Sequence, residues 1–172
     1  MRQAAKTANV PFNRFSIGND ANSINPRTGV AEFAGTPPSN PPHVNSFFET
    51  HRDRLAALAD EMKVPPNFIM GLSAGESNWG RPQGQNNLFG FSVNERPLDY
   101  PTPEAAIDAF RNSQWYSRLQ GKSEANDFLN ELVSTEDGKK MYNSVRSGGY
   151  APWIKDMIGT VDRRLPIWEQ PR

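Results

Sequence analysis

The stretch SAGESNWGRPQGQNNLFGFS, from Ser73 to Ser92, holds the residue types best suited to chemistry. It sets one carboxylate, Glu76, after an apolar run and before a loop crowded with Gly, Asn and aromatic residues. PPNFIMGLSAGESN predicts a helix whose stripe of Phe68, Ile69 and Leu72 is continued by Glu76, because residues 69, 72 and 76 share a face. A carboxylate on an apolar face loses hydration, which disfavours its charged form. If Gly80 and Pro82 mark the helix exit, the negative end of the helix dipole acts the same way. Both effects raise the pKa expected for Glu76, and a carboxylic acid still protonated near neutral pH can serve as a general acid. The loop that follows mixes amides with aromatic rings. That mixture suits a sugar, whose ring faces stack on aromatics while hydroxyls and acetamides bond to amides. The bland alternative is a Glu turned outward to water, with Trp79 and Phe89 as ordinary core residues.

Other chemistries are poorly supplied. Cysteine is absent, so there are no disulfides and no thiolate metal sites. His43 and His51 make neither a zinc spacing nor a base for a nearby Ser, and no metal or organic cofactor is implied. The formal net charge is zero, so no overall field favours nucleic acid or an acidic membrane surface. No apolar run approaches the about 20 residues of a spanning helix, so no membrane insertion is expected.

The elements that must position Glu76 are helical. Hydrophobic residues make up 36% and charged residues 22% of the 172-residue chain, enough for one domain with a core and an appended segment. Residues 1–45 are rich in Asn, Gly, Ser, Pro and Thr and read as a turn-rich N-terminal arm. The arm is either a linker or is anchored by Phe12, Phe15, Ile17, Ile24, Val30 and Phe33. Residues 46–172 form the domain. NSFFETHRDRLAALADEMKV predicts a first helix with Phe48, Leu55, Leu58, Ala59 and Met62 inward. After the Glu76 helix, further helices follow over PTPEAAIDAFRNSQWY, over SEANDFLNELV with Ser123 as N-cap, over TEDGKKMYNSV with Thr135 as cap and Met141, Tyr142 and Val145 on one face, and over PWIKDMIGTVDRRL. The one candidate for β structure is LFGFSVNERPL.

GESNWGRPQGQNNLFGFS resembles the glucosaminidase domain of glycoside hydrolase family 73, within the lysozyme-like superfamily. The matching features are Glu76, then Trp79 with Gly80, then Asn86 through Gly90. Downstream, GGYAPWIKDMIGTVDRRL resembles the family's Tyr-Ala-Thr segment and final helix, with Tyr150 and Ala151 in register. YPTPEAAIDAFRNS between them resembles an aromatic-anchored helix of the family. The resemblance runs from about Ser46 to Trp168. It implies a mainly α, lysozyme-like helical domain with a short irregular or β lobe beside the cleft. It also implies cleavage of peptidoglycan glycan strands, with N-acetylglucosaminidase or muramidase specificity. In that reading Glu76 is the general acid and Tyr150 supports the oxocarbenium-like transition state from the opposite side. Trp79, Asn87, Phe89, Phe91 and Ser92 serve the sugar, with Asn86 and Asn87 shaping the loop and Phe89 beneath the cleft.

The sequence departs from the family in two places. Only FSVNERPLD separates Gly90 from Tyr100, where the family has a longer lobe. If a water must be activated, a second carboxylate is needed, roughly 6.5–9.5 Å away for inversion or roughly 5–5.5 Å for retention; the candidates on that short lobe are Glu95, which is favoured, and Asp99. Pro152 stands where the family has a threonine-acidic pair, so a base from that segment is not expected. A lytic transglycosylase using the substrate's own hydroxyl stays open, as does a non-catalytic wall-binding or scaffold domain of a phage tail or secretion apparatus. The N-terminus lacks the apolar core of a signal peptide. The expected setting is therefore synthesis in the cytoplasm and action in the periplasm or wall of a target cell. An antibacterial effector of type VI secretion fits, with a cognate immunity protein covering the cleft.

Overall fold

The computed structural model describes residues 39–81, 84–143 and 148–170, together with the backbone of two short strands near the N-terminus. The chain divides into two compact units, Met1–Pro37 and Pro38–Arg172. In the first, strands β1 (Asn22–Ile24) and β2 (Ala31–Phe33) pair antiparallel, with Asn22 opposite Phe33. The arm's apolar side chains lie outside the described residues.

The second unit is mainly α. It begins with α1 (Pro42–Met62), whose first turn carries a proline where no backbone donor is needed. Phe47, Phe48, Leu55, Leu58, Ala59 and Met62 form its buried face. α2 (Pro66–Glu76) also starts on proline and is buried without a break from Phe68 to Ala74. Such all-round burial makes it the central helix of the unit. It packs against α1 and against the last helix, α6 (Tyr150–Trp168). Gly71 permits that approach: a Cβ there would lie 2.6–2.9 Å from side-chain and backbone atoms of Ile158.

Between α2 and α6 lie a two-stranded ribbon, β3 (Ser92–Val93) with β4 (Arg96–Pro97), then α3 (Pro103–Arg111), α4 (Gln114–Leu119) and α5 (Ala125–Val133). The ribbon forms where β structure was expected. Asn94 and Glu95 both have left-handed φ, 49° and 64°, as a two-residue hairpin turn of matching twist requires. α3 starts cleanly because Thr102 Oγ1 accepts from Ala105 N–H at 3.2 Å.

Three local expectations are corrected. The helix expected over PTPEAAIDAFRNSQWY is two helices, since the Ser113 hydroxyl accepts from Trp115 N–H and so caps a new start at Gln114. Ser123 does not cap α5. Glu124 holds the cap position without a side-chain bond. Among the described residues of TEDGKKMYNSV the helical structure is a 3-10 turn at Glu136–Gly138, because Asp137 and Gly138 take left-handed φ of 55° and 73° and turn the chain away. Met141 and Tyr142 therefore sit on non-helical chain, and Val145 lies outside the described residues. Among the described residues no helix is long and apolar enough to cross a membrane.

Candidate active site

Glu76 is the last residue of α2 and is half-buried. The helix stops there for a local reason. The Ser77 hydroxyl donates to the Ser73 carbonyl at 2.7 Å and accepts from Gly80 N–H at 2.9 Å. Asn78, Trp79 and Gly80 then take left-handed φ of 50°, 61° and 71° in succession, which reverses the chain. A bulky ring at such a φ is an outlier. Trp79 is held there edge-on against Phe47 and Phe48, at centroid distances of 5.4 and 5.8 Å.

The Tyr150 hydroxyl donates to Glu76 Oε1 at 2.6 Å. Tyr150 is the first residue of α6 and is fully buried, so the close packing of α2 on α6 sets this bond. Gly90 approaches the other carboxylate oxygen. A Cβ built on it would overlap Glu76 Oε2, and its φ is +65°.

The loop carrying Gly90 is tied by side chains. Asn87 Nδ2 donates to the Phe91 carbonyl at 2.8 Å, and Asn87 Oδ1 accepts from Phe91 N–H at 3.0 Å. Asn86 Nδ2 donates to the Tyr100 carbonyl at 2.9 Å, and Tyr100 N–H returns to the Gln85 carbonyl at 2.8 Å. Asp99 Oδ1 accepts from Gln85 N–H at 2.6 Å, so this carboxylate serves the loop. A small polar cavity behind the loop is lined by His51, Ser77, Arg81, Asn86, Asn87 and Leu88, and Glu76 is not among its walls.

The residues assigned to a sugar thus fall into two groups. Phe89 is 1% exposed and stacks on Phe110 at 4.2 Å, and Asn87 is buried with its amide engaged by the loop. Phe89 therefore lies beneath the loop, and Asn87 braces it while also lining the small cavity. Trp79 is partly buried against α1. Phe91 is half-buried, in stacking range of Phe110 and Tyr142, while Ser92 and Glu95 are exposed on the ribbon.

Two aromatic residues that sequence reasoning did not assign to the site pack on Tyr150. Trp153, half-buried on the first turn of α6, packs against Tyr150 at 5.8 Å and against Gly75. Tyr142 stacks nearly parallel on Tyr150, at 5.9 Å and 9°. Burial pushes the Tyr142 phenol well above the usual tyrosine range, and the charges of Glu76 and Tyr100 push the same way. The expected helix hid Tyr142. The signal that could have revealed its setting is the Asp-Gly pair at 137–138, a common turn former.

Fold and site together define a mainly α, lysozyme-like domain with a half-buried carboxyl at the end of its central helix. No protein-family model matches the chain, and no curated protein matches it. Solved structures do. The chain is similar to one in a type VI secretion system effector–immunity complex from Pseudomonas protegens, with TM-score 0.57 and 18% identity, over 73% of this chain and 95% of that one. It is similar to the peptidoglycan hydrolase from Sphingomonas sp. A1, with TM-score 0.58 and 20% identity, over 74% of this chain and 97% of that one. A mutant form of the Sphingomonas enzyme gives TM-score 0.58 and 19% identity, over 74% and 99%. The likeness is one of fold.

Proposed function

We propose that the protein cleaves peptidoglycan glycan strands as a glucosaminidase-type glycosidase, with Glu76 as general acid. The observation that carries this reading is the Glu76 carboxyl, half-buried at the end of α2 and hydrogen-bonded by the Tyr150 hydroxyl. The likeness in fold to peptidoglycan hydrolases supports the substrate class.

In this reading Glu76 gives its proton to the departing glycosidic oxygen as the bond to the anomeric carbon breaks. The carboxylate left behind is a better acceptor than the neutral acid, so the Tyr150 bond strengthens as charge develops. An interaction stronger in the transition state than in the ground state accelerates the step. Glu95 is the carboxylate we assign to the attacking water. It keeps a charged side chain at a left-handed position where glycine would be the easier choice. Asp99 is less suited, being engaged by Gln85 N–H.

We further propose delivery to a target cell's periplasm or wall as an antibacterial effector, on the likeness to a chain of an effector–immunity complex. A cognate immunity protein would then cover the surface around Glu76.

The test is digestion of purified, de-O-acetylated sacculi by wild type, Glu76→Gln and Glu95→Gln, with products reduced by borohydride and read by mass spectrometry. Reduced glucosamine ends from wild type, absent with Glu76→Gln, are expected. Reduced muramic ends or 1,6-anhydro ends would reassign the bond or the reaction. No release from walls of several types would overturn the enzymatic reading in favour of a wall-binding scaffold.

A further inference from the structure

We propose that Tyr142 is a positioning residue for the Glu76 carboxyl, holding from one point two groups that meet it. The proposal rests on the reading of Glu76 as the acid.

The first group is the Tyr150 hydroxyl. The Tyr142 ring lies against the Tyr150 ring at 5.9 Å and 9°, and Trp115 backs Tyr142 at 4.7 Å. The Tyr150 ring is therefore fixed in the plane from which its hydroxyl reaches Glu76 Oε1. The second group is the Gly90 backbone. The Tyr142 hydroxyl donates to the Phe89 carbonyl at 2.8 Å, the peptide group that leads into Gly90. A shift of that peptide would move Gly90 on or off Glu76 Oε2, where the clearance is too small even for a Cβ.

Tyr142 is itself anchored. Its N–H donates to the Leu132 carbonyl at 2.8 Å, on α5. Nearby, Arg118 lies over the Trp115 ring at 4.2 Å and donates to the Lys140 carbonyl at 2.7 Å. Tyr142 thus transmits the position of α4 and α5 to the carboxyl at the end of α2. Its hydroxyl bonds a backbone carbonyl, which makes it a positioning group and not one that handles substrate protons. A phenol held this firmly neutral keeps donating across the whole pH range of enzyme action.

The experiment compares wild type, Glu76→Gln, Tyr142→Phe and Trp115→Phe on soluble glycan strands, measuring kcat, KM and the pH profile, with a thermal melt of each. Tyr142→Phe removes only the hydroxyl. It is expected to lower kcat at least tenfold, leave KM within twofold and displace the alkaline limb of the pH profile, on which a general acid loses its proton. Trp115→Phe loosens the ring from behind and is expected to lower kcat severalfold in the same manner. Loss of folding alone would scale kcat without moving the profile. A folded Tyr142→Phe with wild-type kcat and profile overturns the proposal. If that variant melts below the assay temperature, an unchanged kcat in Trp115→Phe overturns it instead. An inactive wild type, or a Glu76→Gln as active as wild type, sinks the underlying assignment of Glu76 and is distinguishable from either result.

Discussion

Gly90 meets Glu76 so closely that a single added carbon would overlap the carboxylate. The contact is between an exposed loop position and the end of a buried helix, so it can be altered with little harm to the core. Gly90→Ala also places a side chain at φ +65°, which costs about 1–2 kcal/mol. We expect the variant to fold, to melt a few degrees lower, and to lose at least 100-fold in turnover of wall glycan. Wild-type turnover in a folded Gly90→Ala would mean that this approach has no part in the chemistry.

The crossing of α2 and α6 is tested by Gly71→Ala. The added methyl meets the Ile158 backbone as well as its side chain, so rotamer change cannot relieve the clash. A loss of about 1–3 kcal/mol is expected on chemical unfolding. Gly75→Ala, which meets only side-chain atoms at 3.2–3.4 Å, should lose less. Equal losses would contradict this ranking.

The pH dependence of stability carries the signature of His51. Burial, then the neighbouring Arg54, lower its pKa from 6.5 to about 4, with Glu104 opposing. The unfolded chain therefore binds a proton between pH 6.5 and 4 that the folded chain does not. Stability is full above pH 6.5 and falls as pH drops toward 4. Glu61 and Glu104 are held below the usual carboxylate range of 4.5, by Tyr116 and Arg54 respectively, so their contribution is lost at lower pH. Urea unfolding from pH 7 to 4.5 should show the decline in wild type and a flatter curve in His51→Gln.

Arg118 and Glu131 form a nearly buried ion pair at 2.8 Å, with side chains 9% and 13% exposed. Burial alone would raise Glu131, but bonds from Arg118 and Lys139 outweigh it and hold the carboxyl below its usual range. Removing Arg118 leaves the nearly buried Glu131 with only the more exposed Lys139 and Lys122, at 3.2 and 3.9 Å. Arg118→Ala should cost up to about 3 kcal/mol, read by denaturant melts. The double variant Arg118→Met, Glu131→Leu should recover much of that loss.

The sequence made Glu76 visible because its clue is local. A carboxyl one and two turns beyond Leu72 and Ile69 breaks an apolar stripe whatever the rest of the fold does. Tyr150 lies 74 residues away and came only from a family resemblance, since no local period links the ends of α2 and α6. Phe89 was expected beneath the cleft and Asn87 in the loop's framework, but the partners that hold them, Phe110 and the Phe91 backbone, could not be read from residue type. Tyr142 was misplaced because apolar spacing around it mimics a helix, while two consecutive left-handed residues at 137–138 veto one. The break between α3 and α4 was hidden similarly, in a serine whose hydroxyl starts a new helix instead of continuing the old one.

The unbroken burial of α2 has a consequence for time as well as for space. Amides in a segment enclosed on every side exchange with solvent only when the whole unit opens. The acid at its end therefore rides on a helix expected to exchange slowly, while its partner Gly90 is an exposed position of its loop. Deuterium labelling would separate these two clocks, and a ligand bound between them should slow the faster one alone.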